Sequence, residues 1–189
     1  METRDRRRSI LLPSLLSCSR ALPLTSNLIL SKMKKRKWFI LVLTLIPHAF
    51  IALLIVASLL APYLEHKGIE ASQKIFAILG LLCHQRPTRS FWIFESPMGL
   101  CARCFPFYLS LLVTSFFVLH TNTRKILWKW GFPLLIPILL DGISQQMGLR
   151  VSTNFLRAIT GLMGGVGIGI LVFPIYFRLL YLLGNYERR

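Results

Sequence analysis

The sequence predicts an all-α membrane protein with about four transmembrane helices and one short interfacial or re-entrant helix. Of the 189 residues, 54% are hydrophobic and 16% are charged, a composition typical of a membrane protein of one domain. The run 38–61 contains 24 residues without a single charge. At about 1.5 Å per residue, such a run is long enough to cross a bilayer as a helix.

The other elements follow along the chain from the same length argument. Residues 74–83 are apolar, but ten residues are too few to span, so this segment is the predicted short helix. Residues 62–73 are predicted to be a loop or an interfacial turn, and residues 85–99 a loop, because the latter contain Pro87 and Pro97. The three remaining predicted spans are 100–120, 126–148 and 155–183.

The net charge of +16 does not indicate nucleic-acid binding, because the basic residues are concentrated near the ends of the predicted spans. Residues 1–37 carry ten of the 23 Lys and Arg side chains. Clusters at 34–37, 124–129 and 178–189 fall on one side of the membrane if the chain crosses four times. The positive-inside rule makes that side cytoplasmic, and the inverted orientation is the alternative, because the other side also carries several arginines. We therefore expect a multi-pass protein of the cytoplasmic (inner) membrane with both ends in the cytoplasm.

Residues 1–32 are predicted to be an extension that is separate from a helical membrane domain at 33–189. The extension is rich in Arg, Ser and Leu and contains Pro13 and Pro23, as targeting segments do. Met33 is followed by four basic residues and an apolar run, so it resembles a natural start. A mis-called start is the favoured interpretation, and Cys18 within the extension is given no functional role.

Three cysteines and a histidine form the predicted metal site: Cys83, His84, Cys101 and Cys104. Two sulfurs at CxxC spacing and a Cys-His pair 16 residues before them supply four ligands for tetrahedral zinc. The same CxxC pair, at a helix start beside Arg103, also fits a thiol–disulfide centre or a stapling disulfide. In the four-span arrangement this cluster lies on the extracytoplasmic side.

The same side gathers the other polar residues of the predicted spans. Asp141 is the candidate catalytic residue, since an ionisable group in a span is a functional candidate by default, although a structural ion pair with Arg150 or Arg157 is the favoured role. Five arginines could hold an anion or a lipid headgroup: Arg86, Arg89, Arg103, Arg150 and Arg157. Snorkelling of these arginines to the membrane surface is an equally good explanation.

Glycines at positions 161, 165 and 169 repeat every four residues in the last predicted span. Gly161, Gly165 and Gly169 would let another helix approach closely, within the chain or, less favoured, in a homo-oligomer. Gly164 and Gly167 are expected to widen the same surface.

Four motifs in this order resemble the domain of unknown function family 2085, a group of predicted prokaryotic membrane proteins. They are the runs CHQRPTRS at 83–90, CARC at 101–104, DGISQ at 141–145 and RVSTNFLR at 150–157. The resemblance covers about residues 75–170. The family usually has glycines where this chain has Pro106 and Ser110. The resemblance implies a membrane location and helical fold and leaves the activity open.

We therefore expect an integral membrane protein with an extracytoplasmic Cys/His cluster that binds a metal ion, zinc being the first candidate. The alternatives are a membrane thiol–disulfide oxidoreductase and a metal-assisted hydrolase acting on a lipid-linked substrate, so the sequence leaves open whether the protein is an enzyme. The bilayer is the expected partner, nucleic acid is not expected, and a homo-oligomer or a membrane partner stays open.

Overall fold

The computed structural model describes residues 22–120 and 124–186, with the side chains of 38–118 and 129–183. Residues 1–21, which include Cys18 and most of the predicted extension, lie outside the described residues. The helices are α1 (Leu22–His66), α2 (Ala71–Gly80), α3 (Cys104–His120), α4 (Arg124–Gln146) and α5 (Asn154–Tyr186). Between α2 and α3 lie a 3₁₀ turn (Pro87–Arg89) and a small hairpin of β1 (Trp92–Ile93) and β2 (Ser96–Pro97).

Two helices are long and apolar enough to cross a membrane: Trp38–His66 within α1 and Asn154–Leu183 within α5. Only 22% and 33% of their most apolar stretches are buried inside the protein, whereas the core helix of a soluble protein is mostly buried. The apolar part of α3, Cys104–Val118, is shorter than a full span. The protein is therefore mostly helical with two candidate spans among its described residues, and four crossings stay a prediction.

The helix α1 continues through Pro62 to His66. The prediction for residues 62–73 was therefore wrong for its first five residues, and also for its last three, because α2 begins at Ala71. Because Pro62 has no N–H, the carbonyl of Ser58, four residues earlier, lacks the donor that it would have in a regular helix. The N–H of Gly99 donates to that carbonyl at 3.1 Å. A neighbouring segment therefore satisfies the freed carbonyl, which lets the helix continue.

A second proline in α1 acts in the same way. Pro47 frees the carbonyl of Leu43, and the hydroxyl of Tyr176 on α5 donates to it at 2.6 Å. Nearby, Ile51 of α1 packs with Val118 of α3 and Phe173 of α5 in a buried apolar cluster. Helix α1 is thus joined to α5 by a hydrogen bond as well as by apolar packing.

One face of α5 lies directly against α3. A Cβ added to Gly161 or Gly165 would overlap the backbone carbonyl of Arg103 or Phe107, and one added to Gly169 would lie 2.8 Å from Thr114. Such contact distances require a residue without a side chain at each position. The glycine ladder therefore packs within the chain, against α3.

A different face of α5 packs on α4, so the expectation that Gly164 and Gly167 widen the ladder was wrong. A Cβ on Gly164 would lie 2.7 Å from Ile138, and one on Gly167 would lie 2.9 Å from the carbonyl of Gly131. Residues three and six positions after Gly161 are rotated away from it by the helical period of 3.6 residues. Helix α5 therefore has glycine contacts with both α3 and α4.

We predict that Gly165→Ala lowers the free energy of unfolding by about 2 kcal/mol, because the new methyl group overlaps the backbone of α3. Gly80→Ala is the matched control, since a Cβ there meets nothing closer than the Gln85 side chain at 3.5 Å. The measurement is reversible unfolding of the detergent-solubilised protein. Equal stability of the two variants would contradict the close approach of α3 and α5.

Candidate functional site

Three sulfurs from two separate segments meet at one place. The Sγ atoms of Cys83, Cys101 and Cys104 all lie within 4.8 Å of one another, and the three cysteines are free thiols. Cys83 and Cys101 are buried, and Cys104 is half-buried. Three thiolates around one tetrahedral zinc ion, each at about 2.3 Å, would be about 3.8 Å apart. The upper bound of 4.8 Å on the observed separations is compatible with that spacing.

The cysteines sit on an apolar base that holds both segments. Leu79 at the end of α2 packs with Leu54 of α1 and with Leu100 beside the second segment, in a cluster that includes Cys83 and Cys101. The predicted helix 74–83 ends earlier, at Gly80, and the N–H of Cys83 donates to the carbonyl of Leu79 at 3.0 Å. Cys104 opens α3, so the pair Cys101 and Cys104 occupies the entry turn of a helix.

Gln85 sets the direction of the chain after Cys83 and His84. Its φ of 45° lies in the left-handed region, which turns the backbone sharply for a residue that is not glycine. Its side-chain amide donates to the carbonyls of Phe76 and Gly99, at 2.9 Å each. The amide thus ties α2 to the segment that leads into Cys101.

Backbone N–H groups donate hydrogen bonds to two of the three sulfurs. The N–H of Cys101 donates to the sulfur of Cys83 at 3.3 Å, and the N–H of Cys104 donates to the sulfur of Cys101 at 3.5 Å. Hydrogen bonds from the thiols of Cys104 and Cys83 hold the pKa of Cys101 well below its usual value. The hydrogen bond to Cys101 raises the pKa of Cys83. These directions favour loss of the proton from Cys101 before Cys83.

His84 does not belong to the group of ligand atoms that lie within 4.8 Å of one another. Its side chain is exposed, and its Nδ1 accepts a hydrogen bond of 3.3 Å from the N–H of Arg86. An Nδ1 that accepts a hydrogen bond carries the lone pair that a metal ion would use. Ligation through Nδ1 would replace the hydrogen bond from Arg86.

Arg103 lies between Cys101 and Cys104 in the sequence, and its side chain pairs with a carboxylate on another helix. Its guanidinium forms a salt bridge with Asp141 of α4. The sequence placed Arg103 beside the thiols, and in the structure its charge is paired with Asp141. Asp141 is buried, with its side chain only 4% exposed, so this salt bridge fixes the cysteine turn against α4.

The same carboxylate continues into a chain of hydrogen bonds that reaches α5. Gln145 donates to Oδ2 of Asp141 at 2.8 Å, and its own Oε1 accepts from Arg157 at 3.2 and 3.3 Å. Arg157 also donates to Asn154 at 2.8 Å, and Asn154 donates to the carbonyl of Ser90 at 3.3 Å. The network thus connects α4, the start of α5 and the loop that follows Cys83.

The arginines predicted as an anion site occupy different environments. Arg103 pairs with Asp141, Arg157 is buried in the network, and Arg150 places its guanidinium 3.8 Å from Oδ1 of Asp141. Arg86 is exposed and Arg89 is half-buried. Asp141 therefore faces two arginines, while Arg157 is held by the neutral side chains of Gln145 and Asn154.

Sequence reasoning missed the positioning roles of Gln85, Ser90 and Asn154. Each lies inside a motif that was noted for its charged residues or cysteines, and none of them is ionisable. The buried hydroxyl of Ser90 donates to the carbonyl of Arg86 at 3.1 Å, which closes the turn after His84. These residues can be read from the motifs, but their hydrogen-bond partners depend on how the segments meet in the fold.

Comparison with known proteins agrees with a membrane location. A family model described as "Predicted membrane protein (DUF2085)" matches residues 83–171, which include all three clustered cysteines, Asp141 and Arg157. An uncharacterised protein of Methanocaldococcus jannaschii is 39% identical over 132 residues, which are 65% of this chain and 85% of that relative. The chain therefore belongs to this family of predicted membrane proteins, as the sequence motifs indicated.

A second relative extends the same comparison. An uncharacterised protein of Methanothermobacter thermautotrophicus is 34% identical over 95 residues, which are 48% of this chain and 83% of that relative. No solved structure matches the chain.

We predict an interaction energy of about 2 kcal/mol or more between Arg103 and Asp141 in a double-mutant cycle of stability. Arg103→Gln and Asp141→Asn should each cost about 3 kcal/mol, because either change leaves a partner without its counter-charge. The double variant should cost much less than the sum of the two. Glu70→Gln, an exposed charge change, is the control, and additive effects of the two changes would show that the salt bridge contributes nothing.

Proposed function

We propose that this membrane protein holds a soft metal ion, with zinc as the first candidate, on Cys83, Cys101 and Cys104. The observation that carries the proposal is that two segments separated by 17 residues bring three sulfurs within 4.8 Å of one another. Thiolates are the ligands that zinc and other soft ions prefer. The backbone N–H groups that face two of the sulfurs are the outer contacts that such ligands commonly have.

His84 is the proposed fourth ligand, acting through Nδ1. It follows Cys83 directly, and its exposed position leaves it free to turn once the hydrogen bond from Arg86 is replaced. If His84 does not bind, the fourth position is open to water or to a substrate, and the ion is a Lewis acid. A site with an open fourth position corresponds to the metal-assisted hydrolase, which the sequence analysis gave as an alternative.

If all four ligands bind the ion, its main effect would be to stabilise the fold. The ion would join the end of α2 to the start of α3 above the apolar cluster of Leu54, Leu79 and Leu100. In this proposal Asp141 braces the site, since its Oδ2 is engaged by Arg103 and Gln145. A catalytic role for Asp141 belongs to the open form.

Thiol–disulfide exchange is the second candidate, and one observation favours it. Cys101 has two further thiols within reach, as a cysteine with a resolving partner does, and hydrogen bonds from those thiols lower its pKa. In that case Cys101 attacks a disulfide of a partner, and Cys104 or Cys83 then displaces the partner's thiol and closes an internal disulfide.

We propose that the cluster of Cys83, Cys101 and Cys104 lies on the extracytoplasmic side of the cytoplasmic membrane. The basic clusters at 34–37, 124–129 and 178–189 support a cytoplasmic position for the opposite ends of the helices. The proposal requires α3 and α4 to cross as well as α1 and α5.

We predict that the full chain purified with zinc contains about one ion per molecule, and that Cys83→Ser, Cys101→Ser and Cys104→Ser each reduce this severalfold, since a serine oxygen is a poor zinc ligand. Cys18→Ser is the matched control and should keep its zinc. Elemental analysis of detergent-purified protein gives the metal content, and His84→Gln separates the closed site, which loses zinc, from the open one, which keeps it.

Unchanged zinc in all three cysteine variants would end the metal proposal. Mixed disulfides trapped by Cys104→Ser on a non-reducing gel, together with no bound metal, would move the assignment to thiol–disulfide exchange.

We predict that topology reporters fused after residues 90 and 122 fall on opposite sides of the membrane, with residue 122 in the cytoplasm. The reason is that α3 lies between these two positions and must cross if the basic clusters share one side. Paired alkaline phosphatase and fluorescent-protein fusions measure this directly. The same side for both fusions would rule out the four-span arrangement.

A further inference from the structure

A pocket of about 380 Å³ opens between α4 and α5, beside the network and apart from the cysteine cluster. Leu140 and Leu156 contribute to an apolar wall, and Ser144 and Thr160 contribute hydroxyl groups. Asp141 and Arg150 complete the polar end of the pocket. The lining therefore combines an apolar surface with a small polar end, as sites for small amphiphiles do.

The polar end contains a buried oxygen that lacks a hydrogen-bond donor. Oδ1 of Asp141 accepts no hydrogen bond from the described residues, although the side chain is only 4% exposed. Its neighbour Arg150 is half exposed, and their closest atoms are 3.8 Å apart, which is too long for a hydrogen bond. A buried acceptor of this kind calls for a donor from outside the chain.

The charges around Oδ1 of Asp141 determine which type of ligand group can bind there. The negative charge on Oδ1 of Asp141 repels a phosphate or carboxylate oxygen, while Arg103 at Oδ2 and Arg150 at 3.8 Å from Oδ1 repel a cation. A neutral hydroxyl satisfies both requirements, since it donates to Oδ1 and accepts from the guanidinium of Arg150. A single hydroxyl can bridge a gap of this length, as bridging waters do.

Exposed apolar side chains in the segment around Arg150 indicate that this hydroxyl belongs to an amphiphile. Leu149 and Val151, on either side of Arg150, are 72% and 91% exposed, and Phe155, five residues after it, is 74% exposed. Large apolar side chains so exposed at the end of membrane helices belong in a lipid environment. We infer that the pocket binds the hydroxyl-bearing headgroup of a membrane amphiphile, with Asp141 and Arg150 holding the hydroxyl and the apolar wall holding the chain.

The test measures binding of mono-oleoylglycerol to the purified full-length protein by native mass spectrometry. The matched probe is the same lipid with both hydroxyls methylated, and free glycerol and oleoyl lysophosphatidic acid are the other two probes. Arg150→Gln removes one hydroxyl partner at an exposed position, and Ser144→Leu fills the pocket. Arg178→Gln is the control, because it lies 18 residues from Thr160 on α5, about 27 Å along the helix.

The expected result is at least about tenfold tighter binding of mono-oleoylglycerol than of its methyl ether, since a charge-assisted hydrogen bond is lost in the ether. Arg150→Gln and Ser144→Leu should weaken this binding by a similar factor, and Arg178→Gln should leave it unchanged. Equal binding of the two lipids, or no effect of either variant, would overturn the inference. Competition by millimolar glycerol would assign the pocket to a soluble polyol instead, and tighter binding of the phosphate lipid would assign it to an anion. None of these outcomes depends on metal at the cysteines.

Discussion

The salt bridge between Arg103 and Asp141 is the interaction on which the arrangement of the site depends. Arg103 lies inside the cysteine turn, and Asp141 lies on α4, so the pair fixes the turn against a helix far away in sequence. A buried carboxylate is costly to leave without a partner, which makes this contact hard to replace. Hydrogen bonds of Gln145 and Arg157 connect this salt bridge to α5, and a hydrogen bond from Asn154 connects α5 to the loop after Cys83.

Close helix packing makes that network possible. The carbonyl of Arg103 lies against Gly161, so α5 approaches the cysteine turn at backbone distance. The prolines of α1 act in a related way, since each leaves a carbonyl that a neighbouring segment satisfies, through Gly99 or Tyr176. In an apolar environment every backbone carbonyl needs a partner, so these contacts define where α1 meets the rest of the described chain from Leu43 onwards.

Hydropathy and motif order predicted much of this molecule. The helices α3, α4 and α5 lie within a few residues of the predicted spans, and the spacing of the cysteines predicted that they meet. The sequence could not predict that α1 passes through Pro62, because the donor to Ser58 lies 41 residues later, at Gly99. It also could not assign Gly164 to α4 or Arg103 to Asp141, because both depend on which helices become neighbours.

X-ray absorption at the zinc edge of the purified protein would test the metal proposal most directly, because it counts the ligands around the ion. Three sulfur neighbours at about 2.3 Å with one lighter neighbour, nitrogen or oxygen, would be the expected first shell. That shell would assign Cys83, Cys101 and Cys104 as ligands held in place by the network around Arg103 and Asp141. A shell without sulfur, or protein that retains no zinc after purification, would contradict it.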